Sequence, residues 1–142
     1  ICRTSQGSNG MAIGNQAGQT GQGNDAIAIG FQAGQTGQGS YAVALGYAAG
    51  QISQGSYAVA IGSRASAGSG GRNSIVINAS GATLNNSTTG TIRVRPIAAV
   101  SIAANNAAYG ALMYDTTTSE IMYSTTIAKT FVIDHPIKKF KK

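Results

Sequence analysis

The sequence predicts an all-β protein, a parallel β-roll solenoid of 16-residue coils that assembles with copies of itself. Two observations predict it. Five copies of one unit follow each other in phase between residues 7 and 81, as GSNGMAIGNQAGQT, GNDAIAIGFQAGQTGQ, GSYAVALGYAAGQISQ, GSYAVAIGSRASAGSG and GRNSIVINASG. Within each copy, large and small apolar residues alternate. A short fixed period indicates a structural unit stacked on copies of itself, and alternation indicates strands.

Each copy contains one predicted strand that is apolar on both faces, as at 26–30, 42–46 and 58–62. A strand of this kind requires burial on both faces, and the coil of one chain covers only one of them. The alternation does not decide which face lines the axis of an assembly. We expect the small face to lie in water in an isolated chain, and so to need neighbouring chains. The candidate residues for trimer or core packing are Ala28, Ile29, Ala44, Leu45, Ala60 and Ile61.

The second half of each copy, such as residues 16–20, predicts a return strand on which alanine points inward and Gln and Thr face water. Glycines recur where the coil has to turn, because glycine adopts positive φ at no steric cost. The predicted turn glycines are Gly14, Gly30, Gly46 and Gly62. Aromatic residues also recur in phase, Tyr41 with Tyr57 and Phe31 with Tyr47, so we expect stacked ladders that pack the roll or bind glycans.

The period ends at residue 81, and the sequence divides accordingly. We predict an N-terminal flank at 1–6, β-roll repeats at 7–81, a neck and β-hairpin at 82–128, and a C-terminal strand with a basic tail at 129–142. Two short apolar runs on either side of 115–119 predict the hairpin.

The composition of the chain argues against nucleic-acid and membrane partners. Charged residues make up 10% of the 142, against about 25% in ordinary soluble domains. The net charge of +6 comes largely from Lys138, Lys139, Lys141 and Lys142. The rest is nearly neutral, so we expect no nucleic-acid partner. There is no long apolar run or signal sequence, so we expect no membrane insertion.

The residues that carry chemistry are few. His135 is the single histidine, Cys2 the single cysteine, and the four carboxylates are scattered. We therefore expect no catalytic, metal or cofactor site, and no enzymatic activity. Asn85 and Asn86 lie in glycosylation sequons on a polar loop and are candidate acceptors. Asn78, in a third sequon, occupies a turn-glycine slot and is interpreted as structural.

The in-phase motif Ser-Tyr-Ala-Val-Ala-Ile-Gly at 56–62 resembles the head repeats of trimeric autotransporter adhesins of the YadA type. The resemblance covers 7–81 and implies a left-handed parallel β-roll and a homotrimer. Segments 74–81, 94–97, 112–118 and 129–136 resemble fibre-like proteins of large DNA viruses and phages, in which the roll leads into a trimeric neck and hairpin. The absence of heptads after the roll favours the viral interpretation over an adhesin stalk.

The resemblance therefore implies a fibre or spike segment on a virion surface, with host attachment by multivalent binding. Its expected partners are copies of itself, other virion or surface proteins, and a host glycan or receptor. Two alternatives stay open: a bacterial adhesin head on the cell surface, and a trimeric tailspike that degrades polysaccharide with its active site elsewhere.

Overall fold

A computed structural model of the chain describes residues 4–96 and 111–124. The chain forms two compact units, divided between Ala98 and Ala99. The first unit holds eight strands, which are β1 (Thr4–Gln6), β2 (Met11–Ile13), β3 (Thr20–Gln22), β4 (Ile27–Ile29), β5 (Val43–Leu45), β6 (Val59–Gly62), β7 (Ile75–Asn78) and β8 (Ile92–Arg95). The described part of the second unit holds β9 (Ala111–Tyr114) and β10 (Ile121–Ser124).

The first unit is a parallel β-solenoid. Six strands pair in parallel in the order β2-β4-β5-β6-β7-β8. Equivalent residues of successive repeats are register partners, as Ala28 with Ala44 and Ala44 with Ala60. A second ladder runs along the return segments, where β1 pairs with β3 and single bridges join Thr20, Thr36 and Ile52. The predicted all-β roll with 16-residue coils is confirmed, and the strands are shorter than the predicted five residues.

The interior of the coils is lined almost entirely by alanine. Its buried cluster consists of Ala17, Ala28, Ala33, Ala44, Ala49, Ala60, Ala65 and Val76. The space between the two ladders is narrow: a Cβ added to Gly34 would stand 3.2 Å from the Cβ of Ala28 and 2.7 Å from Oε1 of Gln38. Between the strand and the return segment of the repeats there is thus space for little more than a methyl group, since packed interiors leave no spare volume, and only the last of these strands, β7, places a larger residue there, Val76.

This interior corrects the assignment of the strand faces. We expected Ala28, Ala44 and Ala60 to remain in water in an isolated chain, but each is 0% exposed within the single chain. The alanine face is the inside of the coil. The large aliphatic side chains of the same strands point outward instead, because the coil is too narrow to enclose them.

The predicted turn glycines are confirmed as backbone requirements. Gly14, Gly30, Gly46 and Gly62 all have φ between +101° and +127°. A Cβ on Gly30 would also stand 2.6 Å from the carbonyl oxygen of Gly46 in the next coil. Both the conformation and the close approach of successive coils therefore demand glycine at this corner.

The solenoid continues beyond the last recognisable repeat. β8, which the sequence placed in the neck, pairs in parallel with β7 and is the sixth strand of the sheet. Ile75 pairs with Ile92, a step of 17 residues, because the loop between these strands holds one residue more than the others. The predicted boundary at residue 81 is therefore too early for the roll, whose sheet ends at Arg95.

The second unit confirms the predicted hairpin. β9 and β10 pair antiparallel, with Tyr114 opposite Ile121. The carboxylate of Asp115 accepts hydrogen bonds from the backbone N–H groups of Thr117 and Thr118, at 2.7 and 3.2 Å. These two donors hold the pKa of Asp115 below its usual value. The predicted strand at 129–135, His135, Cys2 and the basic tail lie outside the described residues.

Candidate functional site

The outer surface of the six-stranded sheet is a continuous apolar face, here called the aliphatic face. It consists of two parallel columns of large side chains, one pair from each strand. Its members are Met11, Ile13, Ile27, Ile29, Val43, Leu45, Val59, Ile61, Ile75, Ile77, Ile92 and Val94.

Eight of these twelve side chains are exposed in the single chain, and Ile27, Ile29, Val43 and Val59 are half-buried. Leu45 is 42% exposed, Ile61 37% and Ile13 56%. Parallel strands lie about 4.8 Å apart, so six of them make a face on the order of 25 Å long. No residue on it carries a charge. A soluble monomer rarely exposes a contiguous apolar surface of this extent, so the face has the character of an association surface.

Aromatic ladders extend the face at both ends of the strands. Tyr41 and Tyr57 precede β5 and β6, and their rings stack with centroids 4.9 Å apart and planes 12° apart. Phe31 and Tyr47 follow β4 and β5 and stack at 5.6 Å, and the guanidinium of Arg64 lies 5.3 Å from the Tyr47 ring centroid. The predicted ladders are confirmed as stacks. Their ring faces cover one another, which favours packing between coils over stacking on a sugar.

The opposite side of the coil carries amide ladders. Nε2 of Gln35 donates to Oε1 of Gln19 at 3.0 Å, and Nε2 of Gln51 donates to Oε1 of Gln35 at 3.1 Å. Thr20 and Thr36 beside them are exposed. The prediction that Gln and Thr of the return segment face water holds for threonine, but the glutamines are half-buried in hydrogen bonds to one another.

A second set of glutamines, which the sequence analysis missed, lies inside the coil. Gln22, Gln38 and Gln54 are at most 3% exposed. Nε2 of Gln54 donates to the carbonyl oxygens of Val43, at 2.8 Å, and Ala58, at 3.2 Å. Each amide thus adds a side-chain donor to backbone carbonyl oxygens where the chain enters the strand, and the carbonyl oxygen of Ala58 also accepts the backbone N–H of Val43 at 2.9 Å. These glutamines could have been recognised from the sequence by their recurrence every 16 residues.

The structure separates the six residues predicted for trimer or core packing into two groups. Ala28, Ala44 and Ala60 lie inside the coil, whereas Ile29, Leu45 and Ile61 lie on the aliphatic face. Each strand therefore contributes its small residue to the core and its large residue to the surface.

The structure also distinguishes the glycosylation candidates by their exposure. Asn86 is 0% exposed, and its Nδ2 donates to the carbonyl oxygen of Thr91, so it does not present a free amide. Asn85 is exposed, with Oδ1 accepting from the backbone N–H of Gly68, and stays a candidate. Asn78 is 1% exposed and donates to the carbonyl oxygens of Ser63 and Ala82, in keeping with a structural role.

Two further features, a metal-binding cluster and a membrane-spanning helix, were looked for in the described part of the chain. Residues 4–96 and 111–124 hold no group of three His, Cys, Asp or Glu side chains placed to bind a metal ion. Over the same ranges no helix is long and apolar enough to cross a membrane.

Comparison of the chain with protein-family models, curated proteins and solved structures gives no match. The resemblance to adhesin heads and viral fibres therefore stays a prediction made from the sequence motifs.

Proposed function

We propose that this chain is a structural segment of a homotrimeric fibre on a virion surface, in which the solenoids associate through their aliphatic faces and display attachment sites in multiple copies. The observation that carries the proposal is the exposed, uncharged aliphatic face, which runs the full length of the sheet.

The composition of the core supports obligate association. Burial of a methyl group contributes only about 0.8 kcal/mol, and the coil interior buries little more than alanine methyl groups. A single chain therefore gains little hydrophobic stabilisation from its own core. The aliphatic face supplies twelve larger side chains. Burial from full exposure contributes about 1.5–3 kcal/mol for each, and the part that a single chain leaves exposed, such as 42% of Leu45 and 56% of Ile13, is buried only against neighbouring chains. A large share of the available hydrophobic free energy therefore lies between chains.

The number three comes from the resemblance of the repeats to the heads of trimeric adhesins. The virion location comes from the resemblance of segments 74–81, 94–97, 112–118 and 129–136 to fibre-like proteins of large DNA viruses and phages. The mechanism follows from the oligomer itself: three copies per fibre and many fibres per particle raise the effective affinity of weak contacts.

The oligomeric state tests the proposal. Sedimentation equilibrium of the full chain at micromolar concentration is expected to give three times the chain mass of 14.3 kDa. The variant Leu45→Asp/Ile61→Asp places two charges on the aliphatic face and is expected to abolish the trimer, because burying an unpaired carboxylate costs several kcal/mol.

Thr36→Asp is the matched control, since Thr36 is exposed on the return ladder, outside the aliphatic face. This variant should sediment as a trimer. A stable folded monomer of the unaltered chain would refute the proposal, and so would a trimer that survives both aspartates on the aliphatic face. Labelling of intact particles with antibodies raised against residues 4–96 tests the location, and unlabelled particles of the parent virus would contradict it.

A further inference from the structure

Charge is distributed unevenly along the solenoid. Residues 26–96 contain no Asp, Glu or Lys, and their charged residues are Arg64, Arg72, Arg93 and Arg95. The only carboxylate in residues 4–96 is Asp25, in the second coil. The first coils are therefore nearly neutral, and the last coils carry uncompensated positive charge.

The side chains of two of these arginines contact one loop, and the backbone of a third is hydrogen-bonded to it. Nη1 of Arg64 donates to the carbonyl oxygen of Gly81 at 2.9 Å, and Nη1 of Arg93 donates to that of Asn85 at 2.7 Å. The carbonyl oxygen of Arg95 accepts from the N–H of Ala79 at 2.8 Å. Arg64 and Arg93, which contact residues 79–85 through their side chains, and Arg95, whose backbone carbonyl bonds to Ala79 of the same segment, are here called the arginine cluster.

Within residues 4–96 and 111–124, the arginine cluster uses only a small part of its hydrogen-bonding capacity. All three residues are exposed. A guanidinium has five N–H donors, and the contacts with described residues engage one nitrogen of Arg64, one of Arg93 and no side-chain nitrogen of Arg95. Within residues 4–96 no carboxylate lies near the cluster in sequence or register. Guanidinium groups with free donors bind tetrahedral oxyanions in a bidentate manner.

We infer that the arginine cluster, together with the polar loop 79–85, binds a sulfated polysaccharide. The inference deepens the proposed function and rests on it, because it names the ligand class that the displayed trimer would attach to. Three clusters per trimer would engage one long chain at several points, so modest single contacts add up.

A nucleic acid fits the cluster less well. Single strands are held by bases stacked on exposed aromatic rings, and duplexes by an element that enters a groove. Loop 79–85 has no aromatic side chain, and the Tyr47 ring beside Arg64 is already stacked on Phe31. No helix occurs among residues 4–96. Sulfate groups along a flexible sugar chain need only exposed guanidinium donors and hydrogen bonds from a polar loop.

Heparin binding to the full chain, measured by calorimetry at 0.15 M salt, tests the inference. The unaltered trimer should bind. Arg64→Gln/Arg95→Gln should weaken binding at least about tenfold, equivalent to 1.4 kcal/mol. The slope of log K against log salt should fall by about two for the two lost contacts, by analogy with other linear polyanions.

Two matched variants locate the effect. Arg72→Gln removes one positive charge at the other end of the strand, since Arg72 precedes β7 and Arg95 ends β8, and should change the affinity less than the single variant Arg95→Gln and less than threefold. Replacement of Lys138, Lys139, Lys141 and Lys142 by Gln should leave the effect of the Arg64/Arg95 substitutions intact.

Several results would overturn the inference. One is no heparin binding by the unaltered trimer. Another is equal binding by the double variant, and a third is loss of binding in the tail variant alone. Tighter binding of duplex DNA than of heparin would assign the cluster to nucleic acid instead. Light scattering on every sample reports the trimer separately, so a trimer that ignores heparin would refute this inference and leave the proposed function standing.

Discussion

The inner and outer faces of the same strands differ in every coil. Toward the coil interior, β4, β5 and β6 present Ala28, Ala44 and Ala60, which are fully buried in the single chain. Toward the outside they present Ile29, Leu45 and Ile61, which a single chain leaves half-exposed or exposed. The smallest apolar side chain is therefore inside and the large ones are outside, the reverse of a typical globular strand.

The difference shows that coil width, not hydrophobicity, selects the inner residue. In the regular repeats the two ladders stand so close that a methyl group fills the space between them, as the 3.2 Å approach of an added Gly34 Cβ to the Cβ of Ala28 shows. Substitutions on the inner face should thus disrupt the coil itself, whereas substitutions on the outer face should chiefly affect contacts between coils or chains.

The largest expected effect comes from Ala44→Arg. The new side chain has no space inside the coil, and its charge would be buried unpaired. We therefore expect the free energy of unfolding to fall by more than about 4 kcal/mol. Circular dichroism should show loss of the β spectrum. Gln35→Arg, on the half-buried amide ladder, should retain the spectrum and melt at a clearly higher temperature. Equal melting temperatures would contradict the assignment of the two faces.

Gly30→Ala should have the next largest effect and lower the free energy of unfolding by at least about 2 kcal/mol. The substitution forces a Cβ residue into φ +125° and against the Gly46 carbonyl oxygen, at 2.6 Å. Gly90→Ala is the control, because Gly90 also has positive φ, at +70°, but nothing lies within 4 Å of its added Cβ. It should cost only about 1 kcal/mol. Urea midpoints at matched protein concentration measure both, and similar losses would show that contact between coils is not the cause.

Gln54→Leu should cost about 2 kcal/mol, because it leaves the carbonyl oxygens of Val43 and Ala58 without their side-chain donor. Gln51→Leu removes donors to two neighbouring glutamine side chains that water can reach, so it should cost less than half as much. Urea unfolding compares the pair, and a smaller loss for Gln54→Leu would contradict the role of the inner amides.

Tyr41→Ala is expected to have the smallest effect, about 1 kcal/mol, through loss of its stack on Tyr57. The ring is half-exposed, and the coil below it stays intact. The double variant Tyr41→Ala/Tyr57→Ala should cost less than the sum of the single variants, because both remove the same contact. Strict additivity in urea unfolding would show that the rings do not interact.

Much of the fold was predictable from the sequence because the repeat appears five times. The in-phase Ala-Val-Ala-Leu-Gly pattern predicts strand, register and turn together, and the structure confirms these in β4, β5 and β6. The hairpin was likewise predictable from the two apolar runs that flank 115–119. β8 was not recognised as a coil strand, because Ile92–Arg95 lacks the alanine and glycine of the repeat and follows a longer loop.

The candidate site was predictable only in part. The aliphatic residues were identified, but their outward direction was not, and the arginine cluster was dispersed over residues 64–95. Arg64 and Arg93 approach one loop only because the sixth strand stacks on the fifth, a contact between coils that spacing along the chain does not reveal.

By itself, the sequence determined the period, the strand alternation and the glycine corners, because these are local properties of the backbone repeated in phase. Only the tertiary structure decided which face of each strand is buried, since that depends on the distance between two ladders joined through hydrogen bonds from coil to coil. The alternation predicts that Ala44 and Leu45 face opposite sides of the strand. The width of the coil determines which of them is inside.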